Sequence, residues 1–166
     1  MKILIFGLPG SGKTTLAKEL AYHFCIPHHN ADYYRLLHND WDFSPDGRLR
    51  QALRMKSKNG ILDFVAPKQE YRDIVQPTIS IYMDTIKESE YDDTNKLFER
   101  PHYLDVDYTV KTWIDIKKLR KCSADSNPGI KGILSFLREQ FPELVSKNII
   151  LLMLQAVLNL RDASVA

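Results

Sequence analysis

The sequence predicts an α/β fold, a parallel sheet of about five strands flanked by helices, followed by an α-helical C-terminal extension. Three observations predict it. Short apolar, β-branched runs alternate with stretches of helical period between residues 1 and 120. The segment Gly7-Leu8-Pro9-Gly10-Ser11-Gly12-Lys13-Thr14-Thr15 joins the first such run to the first such helix and matches the Walker A pattern in full. Near Lys121 the alternation stops, Cys122 to Gly129 is a linker by composition, and apolar helical stripes follow. The expected organisation is a P-loop domain over residues 1–120 and a helical extension over 121–166.

Each element has its own warrant. Lys2 to Phe6 reads as a buried parallel strand, and Leu16, Ala17, Leu20, Ala21 and Phe24 recur at helical spacing after the glycine-rich loop. Pro27 stops the chain, and His28 to Ala31 forms a second strand with Asp32 at its tip. A polar, aromatic segment runs from Tyr33 to Phe43. Ser44-Pro45 is an N-cap with proline in the first turn; Leu49, Ala52, Leu53 and Met55 supply a partial apolar face, and Asn59-Gly60 closes that helix. Ile61 to Ala66 is the third strand, a short helix spans Gln69 to Val75, and Thr78 to Met83 is the fourth strand. Thr85 to Pro101 shows little periodicity and reads as a functional loop. Leu104 to Val110 is the fifth strand, with Trp113, Ile116 and Leu119 marking a helix after it. In such a sheet ligands bind at the carboxyl ends of the strands, where Gly7, Asp32 and Ala66 converge. Beyond the linker, Ile130, Ile133, Leu134, Leu137 and Phe141 make an apolar stripe, and the stretch after Pro142 is apolar almost all round. A helix of that kind requires burial, against the core domain or against a second copy in a homodimer.

Composition narrows the partners. The chain has 166 residues, 44% hydrophobic and 27% charged, and a net charge of +2. That balance gives no electrostatic reason to expect nucleic-acid or membrane binding. The two cysteines, Cys25 and Cys122, form neither a metal-spaced pair nor a disulfide framework, so a reducing cytoplasm is the expected compartment. Cys25, following Phe24 at a helix end, reads as a buried or half-buried thiol. The first strand begins at once, without the pattern of a signal peptide. The longest apolar run, Ile149 to Leu154, extends to Leu160 broken only by Gln155 and Asn159, which is short of a membrane span.

The Walker A segment carries the clearest chemistry. A strand-to-helix turn with three glycines lets successive backbone N–H groups point at one anion, and the helix N-terminus adds favourable partial charge. Residues Gly7 to Thr15 are therefore expected to bind ATP, with Lys13 reaching the β- and γ-phosphates and Thr14 ligating Mg²⁺. A second ordered set follows: Asn30-Ala31-Asp32-Tyr33-Tyr34-Arg35, then Asp42-Phe43-Ser44-Pro45-Asp46-Gly47-Arg48, then Gln51 and Arg54. Asp32 faces the γ-phosphate across the sheet, where it can hold Mg²⁺ through water or accept the proton of an attacking hydroxyl. Arg35 is placed for an acceptor phosphate or sulfate, Phe43 for stacking on a base, and Arg48 for an acidic substrate group. Each residue also has a purely structural reading: Asp32 as a helix N-cap, Arg35 and Arg48 as surface ion pairs, Phe43 as core. Asp63 reads either as a second Mg²⁺ carboxylate or as an edge-exposed aspartate. His28 and His29 have no metal-ligating residue at the spacing zinc needs.

At these residues the chain resembles the adenylyl-sulfate kinases. That family carries a Walker A loop, then Asp-Gly-Asp-x-x-Arg, then Gly-Phe-Ser-x-x-x-Arg with Asn and Arg shortly after, then Phe-Ile-Ser-Pro. The counterparts here are Asn30 to Arg35, Asp42 to Arg48, Gln51 with Arg54, and Phe64-Val65-Ala66-Pro67. Ile86-Lys87 and Tyr91 to Lys96 look like a shortened form of the family's lid. The resemblance spans Met1 to about Leu119. It implies a P-loop kinase that transfers the γ-phosphoryl group of ATP, with Mg²⁺, to the 3′-hydroxyl of adenylyl sulfate. Lys13 and Asp32 would be catalytic, and Asp32, Arg35, Phe43, Arg48, Gln51, Val65, Ala66 and Lys87 would hold the acceptor. Ala66 stands where the family has Ser, the lid has no Arg between Arg72 and Arg100, and the chain is short by roughly nine residues between Met55 and Phe64, more than two helical turns. Two other readings keep the same motifs: a P-loop kinase for another hydroxyl, on a nucleoside, a sugar or a polynucleotide end, and a nucleotide-binding module without turnover.

Overall fold

Alternation of strand and helix gives β1 Lys2–Phe6, α1 Lys13–Phe24, β2 His28–Asn30, α2 Ala31–Leu37, α3 Pro45–Lys56, β3 Gly60–Asp63, α4 Gln69–Val75, β4 Ile79–Met83, α5 Asp92–Leu97 and β5 Tyr108–Val110. The computed structural model describes residues 1–111 together with 135 and 139. The helix expected around Trp113 to Leu119 and the C-terminal apolar stripes lie outside the described residues. The chain divides into two units, Met1–Lys121 and Cys122–Ala166.

All five strands are parallel, in the order β2-β3-β1-β4-β5. Because side chains alternate across a strand, both faces of β1 are apolar and both are covered. Leu4 and Phe6 join Leu62, Ala52, Met55, Tyr71 and Val75 in a core that includes α3 and α4. The alternate residues Ile3, Ile5 and Ile61 are equally buried, as are Leu16, Ala17 and Leu20 of α1. Register then decides what shares an edge. Ile5 pairs with Asp63, Asn30 with Asp63, and Phe6 with Tyr82. The ends of β1, β2, β3 and β4 are therefore level, and β1, whose neighbours lead off to opposite sides, marks the crevice.

Several boundaries differ from the sequence expectation. The second strand stops at Asn30, and the polar segment after it is a helix, α2, capped by the Asn30 side chain accepting from the Tyr33 N–H at 2.9 Å. Asp32 thus lies in the first turn of α2, not at a strand tip, and the N-cap is its neighbour Asn30. The third strand is Gly60–Asp63, so Phe64 to Ala66 form an irregular turn with Ala66 at φ +41°. Gly60 belongs to this strand and does not cap α3. The expected loop between Thr85 and Pro101 contains α5, and the fifth strand is confined to Tyr108–Val110. On α3 the buried face is Arg48, Gln51, Ala52 and Met55, while Leu49 and Leu53 are exposed. Cys25 is an exposed residue in the left-handed region at the end of α1, not a buried thiol.

Candidate active site

The phosphate loop is shaped by close approach of two backbones. Gly7 has φ +147°, and a Cβ there would stand 2.7 Å from the Met83 carbonyl oxygen at the end of β4, so only glycine fits. The turn leads straight into α1, which presents its unpaired N–H groups at the sheet edge. Lys13 is buried and its Nζ donates to the Leu8 carbonyl at 2.9 Å, arching over the loop. The Thr85 hydroxyl donates to the Ser11 carbonyl at 2.7 Å, tying the start of the segment after β4 to the same loop.

Two carboxylates flank Lys13 and differ in character. Asp63 ends β3, an interior strand, and is 2% exposed, which excludes the edge-exposed reading. Asn30 Nδ2 donates to its Oδ2 at 2.7 Å, His28 Nε2 lies 3.5 Å from the same oxygen, and the Thr14 hydroxyl is bonded to the carboxylate. Burial acts to raise the Asp63 carboxyl, but the nearby His28 ring, the bonds from Thr14 and Asn30 and the Lys13 charge together hold it below the ordinary value. Asp32 is open to solvent on the cavity side yet crowded by protein behind. That crowding, with the Asp63 charge, raises its carboxyl, and Lys13 and Arg35 only partly counter it. Burial lowers the Lys13 ammonium, opposed by Asp63 and Asp32. One carboxylate stays ionised beside the Thr14 hydroxyl, and the other is tuned towards taking a proton.

A cavity of about 610 Å³ opens over this edge. Lys13, Thr14, Asp32 and Asp63 line it, and so do Phe43, Arg48 and Val65, together with Pro9 and Gly10 of the loop. Phe43 is half exposed, not core, and lies beneath two guanidinium groups, Arg35 at 4.6 Å and Arg48 at 5.6 Å from its ring centre. Arg48 Nε donates to the Phe43 carbonyl at 2.8 Å. Four expected acceptor residues are not on the cavity wall. Arg35 is buried and its Nη1 donates to the carbonyls of Asp40 (3.1 Å) and Asp42 (2.8 Å), so it shapes the loop that carries Phe43. Gln51 is buried and donates to the Ala31 carbonyl at 2.7 Å, holding the first turn of α2. Ala66 is buried, its carbonyl accepting from Arg72 Nε at 3.0 Å. Lys87 lies in the segment before α5, and its carbonyl accepts from Arg100.

Trp41 and Glu90, given no site role by the sequence, also line the cavity, as do Tyr91 and Asp93 of the expected lid. An available signal was the density of aromatic and acidic residues in two segments of weak periodicity, Tyr33 to Phe43 and Thr85 to Pro101. Arg72 was missed as well. It is buried without a carboxylate partner, lies 4.5 Å from the Phe6 ring centre, and donates to the carbonyls of Ala66, Pro67 and Glu99. It thereby joins the turn after β3 to the end of the α5 segment.

For Mg²⁺ the donors are hard oxygens: the Thr14 hydroxyl and the Asp63 and Asp32 carboxylates around one cavity. Among the described residues no group of three or more His, Cys, Asp or Glu is placed to hold a metal ion unaided.

No family model matches the chain, and no curated protein matches it. Solved structures do. The chain is similar to the APS kinase of Mycobacterium tuberculosis in complex with AMPPNP and APS, at 14% identity over 82% of this chain and 96% of that one, with a TM-score of 0.61. It is similar to the shikimate kinase of Aquifex aeolicus vf5, at 16% identity over 84% and 98% of the two chains, TM-score 0.57. A sugar kinase from a Janibacter species gives 16% identity, 82% and 93% coverage and a TM-score of 0.60. Identities this low speak to the fold: the protein has the α/β P-loop kinase fold. The three named acceptors differ, so the fold leaves the acceptor open. No helix among the described residues is long and apolar enough to cross a membrane.

Proposed function

We propose that this chain is an ATP-dependent phosphotransferase whose acceptor is a nucleotide hydroxyl, with the 3′-hydroxyl of adenylyl sulfate the leading choice. The observation that carries this is convergence: the phosphate-loop residues Lys13 and Thr14, the carboxylates Asp32 and Asp63, and the acceptor-side residues Phe43 and Arg48 all line one cavity.

In this reading the loop N–H groups and Lys13 hold the triphosphate, and Lys13 follows the charge that develops on the γ-phosphoryl oxygens. Asp32 accepts the proton of the acceptor hydroxyl as its oxygen bonds to the γ-phosphorus. The bond from that phosphorus to the β,γ-bridging oxygen breaks, and ADP leaves with the electron pair. Mg²⁺ would supply positive charge to the triphosphate. Thr14 and Asp63 would supply protein oxygens to it, and the low proton affinity of Asp63 favours the charged carboxylate. Phe43 offers a face for a base, and Arg48 a cation for the acceptor's anionic group.

A second reading has a specific observation behind it. Glu90 and Asp93 line the acceptor side of the cavity, and Arg35 and Gln51 are committed to internal hydrogen bonds. A less anionic hydroxyl acceptor, a nucleoside or a sugar, meets fewer like charges there. ADP release from Mg-ATP with and without adenylyl sulfate, with the product identified by mass, tests both. Acceptor-dependent ADP with a product one phosphoryl group heavier than adenylyl sulfate supports the first reading. No acceptor-dependent ADP overturns it, and turnover on nucleosides or sugars would install the second.

A further inference from the structure

Arg48 is the only arginine lining the cavity among the described residues, and it already has an anion. Its Nη2 lies 3.3 Å from the Asp93 carboxylate at the start of α5. The Arg48 side chain is 8% exposed and the Asp93 side chain 69%. Arg48 is fixed on its other side by the Phe43 carbonyl, and α5 is the element whose charged end comes to meet it. The other nearby guanidinium groups are spoken for: Arg54 pairs with Asp40 at 2.6 Å and Arg50 with Asp42 at 2.8 Å. Glu90, on the same lid segment, adds a second negative charge to the cavity wall.

We infer that Asp93 is a charge-specificity residue of the acceptor site: its carboxylate occupies the Arg48 guanidinium that an anionic acceptor group would use, and such an acceptor binds by exchanging with it. This rests on the proposed reading of Arg48 as an acceptor-binding residue. An anionic acceptor has to displace Asp93 from Arg48 and then sit beside its negative charge, whereas a neutral acceptor does neither. A pair with one largely exposed partner is weak, so the exchange is easy and its effect on affinity modest, about two- to fivefold.

The test uses the full chain saturated with Mg-ADP, so that the phosphate loop is filled, and calorimetric titration with two probes, adenosine 5′-monophosphate and adenosine. Asp93→Asn should tighten the monophosphate about two- to fivefold and leave adenosine within twofold. Asp93→Glu, which keeps the charge, should return the ratio to that of the unmodified chain. Unchanged monophosphate affinity in Asp93→Asn, equal changes for both probes, or absence of monophosphate binding in either protein would each overturn the inference. Because Asp93 is exposed, loss of the fold does not confuse the reading. Failure of the kinase reading is seen separately, in the ADP-release assay. A chain that binds the monophosphate in the predicted pattern yet releases no acceptor-dependent ADP keeps the charge selection and loses the turnover.

Discussion

Lys13, Asp32 and Asp63 form a short electrostatic sequence in which the two carboxylates are pushed apart in proton affinity by their surroundings. Lys13→Ala removes a buried cation aimed at the phosphate site and should lower turnover by about 10²- to 10³-fold, read as acceptor-dependent ADP release. Asp32→Asn should lower turnover about 10²- to 10⁴-fold while Mg-ATP affinity stays within a few-fold; unchanged turnover would sink its role as base. A base with a raised proton affinity is lost as pH falls, so kcat/KM should decline on the acid side through a group above the 3.8 of a free aspartate. The Asp63 charge contributes to that rise, so Asp63→Asn should move the acid limb to lower pH. Stability depends on the other carboxylate, whose shift has the opposite sign. Asp63 titrates below 3.8 when folded, so its ionised form supports the fold above that pH, and the support fades as pH falls through the folded value. The stability difference between the unmodified chain and Asp63→Asn, measured in urea, should therefore shrink on going from pH 7 to pH 3.

At the scale of elements, three short connections place the side chains that regular structure alone would not. The loop between α2 and α3 carries Trp41 and Phe43, and it is held by Arg35 on its carbonyls and by Arg50 and Arg54 on Asp40. A Cβ at Gly47 would stand 2.2 Å from the Asp42 carbonyl oxygen, so Gly47→Ala must push this loop off the first turn of α3. A loss of about 1–3 kcal/mol in urea unfolding is expected, and a change below a few tenths would show that the loop yields freely. The turn after β3 and the end of the α5 segment share Arg72. Arg72→Met leaves three carbonyls without their charged donor, for an expected loss of about 2–4 kcal/mol. Burial has already brought that guanidinium down to about 10, the mark of a cation held by carbonyls and rings with no carboxylate in contact.

For the molecule as a whole, the division at Lys121 makes a direct prediction. The five strands and the cavity all lie within residues 1–111. A chain ending at Lys121 should therefore remain soluble and bind Mg-ATP with the affinity of the full protein, measured by titration calorimetry. Aggregation of the shortened chain, or loss of nucleotide binding, would mean that the C-terminal residues complete the domain. The homodimer expected from the apolar C-terminal stripes is checked on the same pair of proteins by sedimentation, as a dimer present in the full chain and absent from the shortened one.

Local chemistry is enough to read the parallel α/β architecture, and it picks out Lys13, Thr14, Asp32, Phe43 and Arg48, which line one cavity. Short apolar, β-branched runs, a three-glycine turn and a Ser-Pro helix start each act over a few residues and need no distant partner. Asp63 stayed ambiguous because a carboxylate on a four-residue strand becomes interior only once β2 pairs with β3. Sequence order does not say which carbonyls a buried donor will find: Arg35 and Gln51 donate to carbonyls inside the protein, and the Ala66 carbonyl accepts from Arg72. Tyr91 and Asp93 belong to the segment read as a lid, but which of its side chains, with Glu90, face the cavity is not written in local sequence. The short helix α5 has no apolar period of its own, and its place beside Arg48 comes from an ion pair spanning 45 residues of sequence. Pairings of that range exist only after the chain has closed, which is why the sequence could announce a phosphate-binding fold and only the folded molecule could say what surrounds the acceptor.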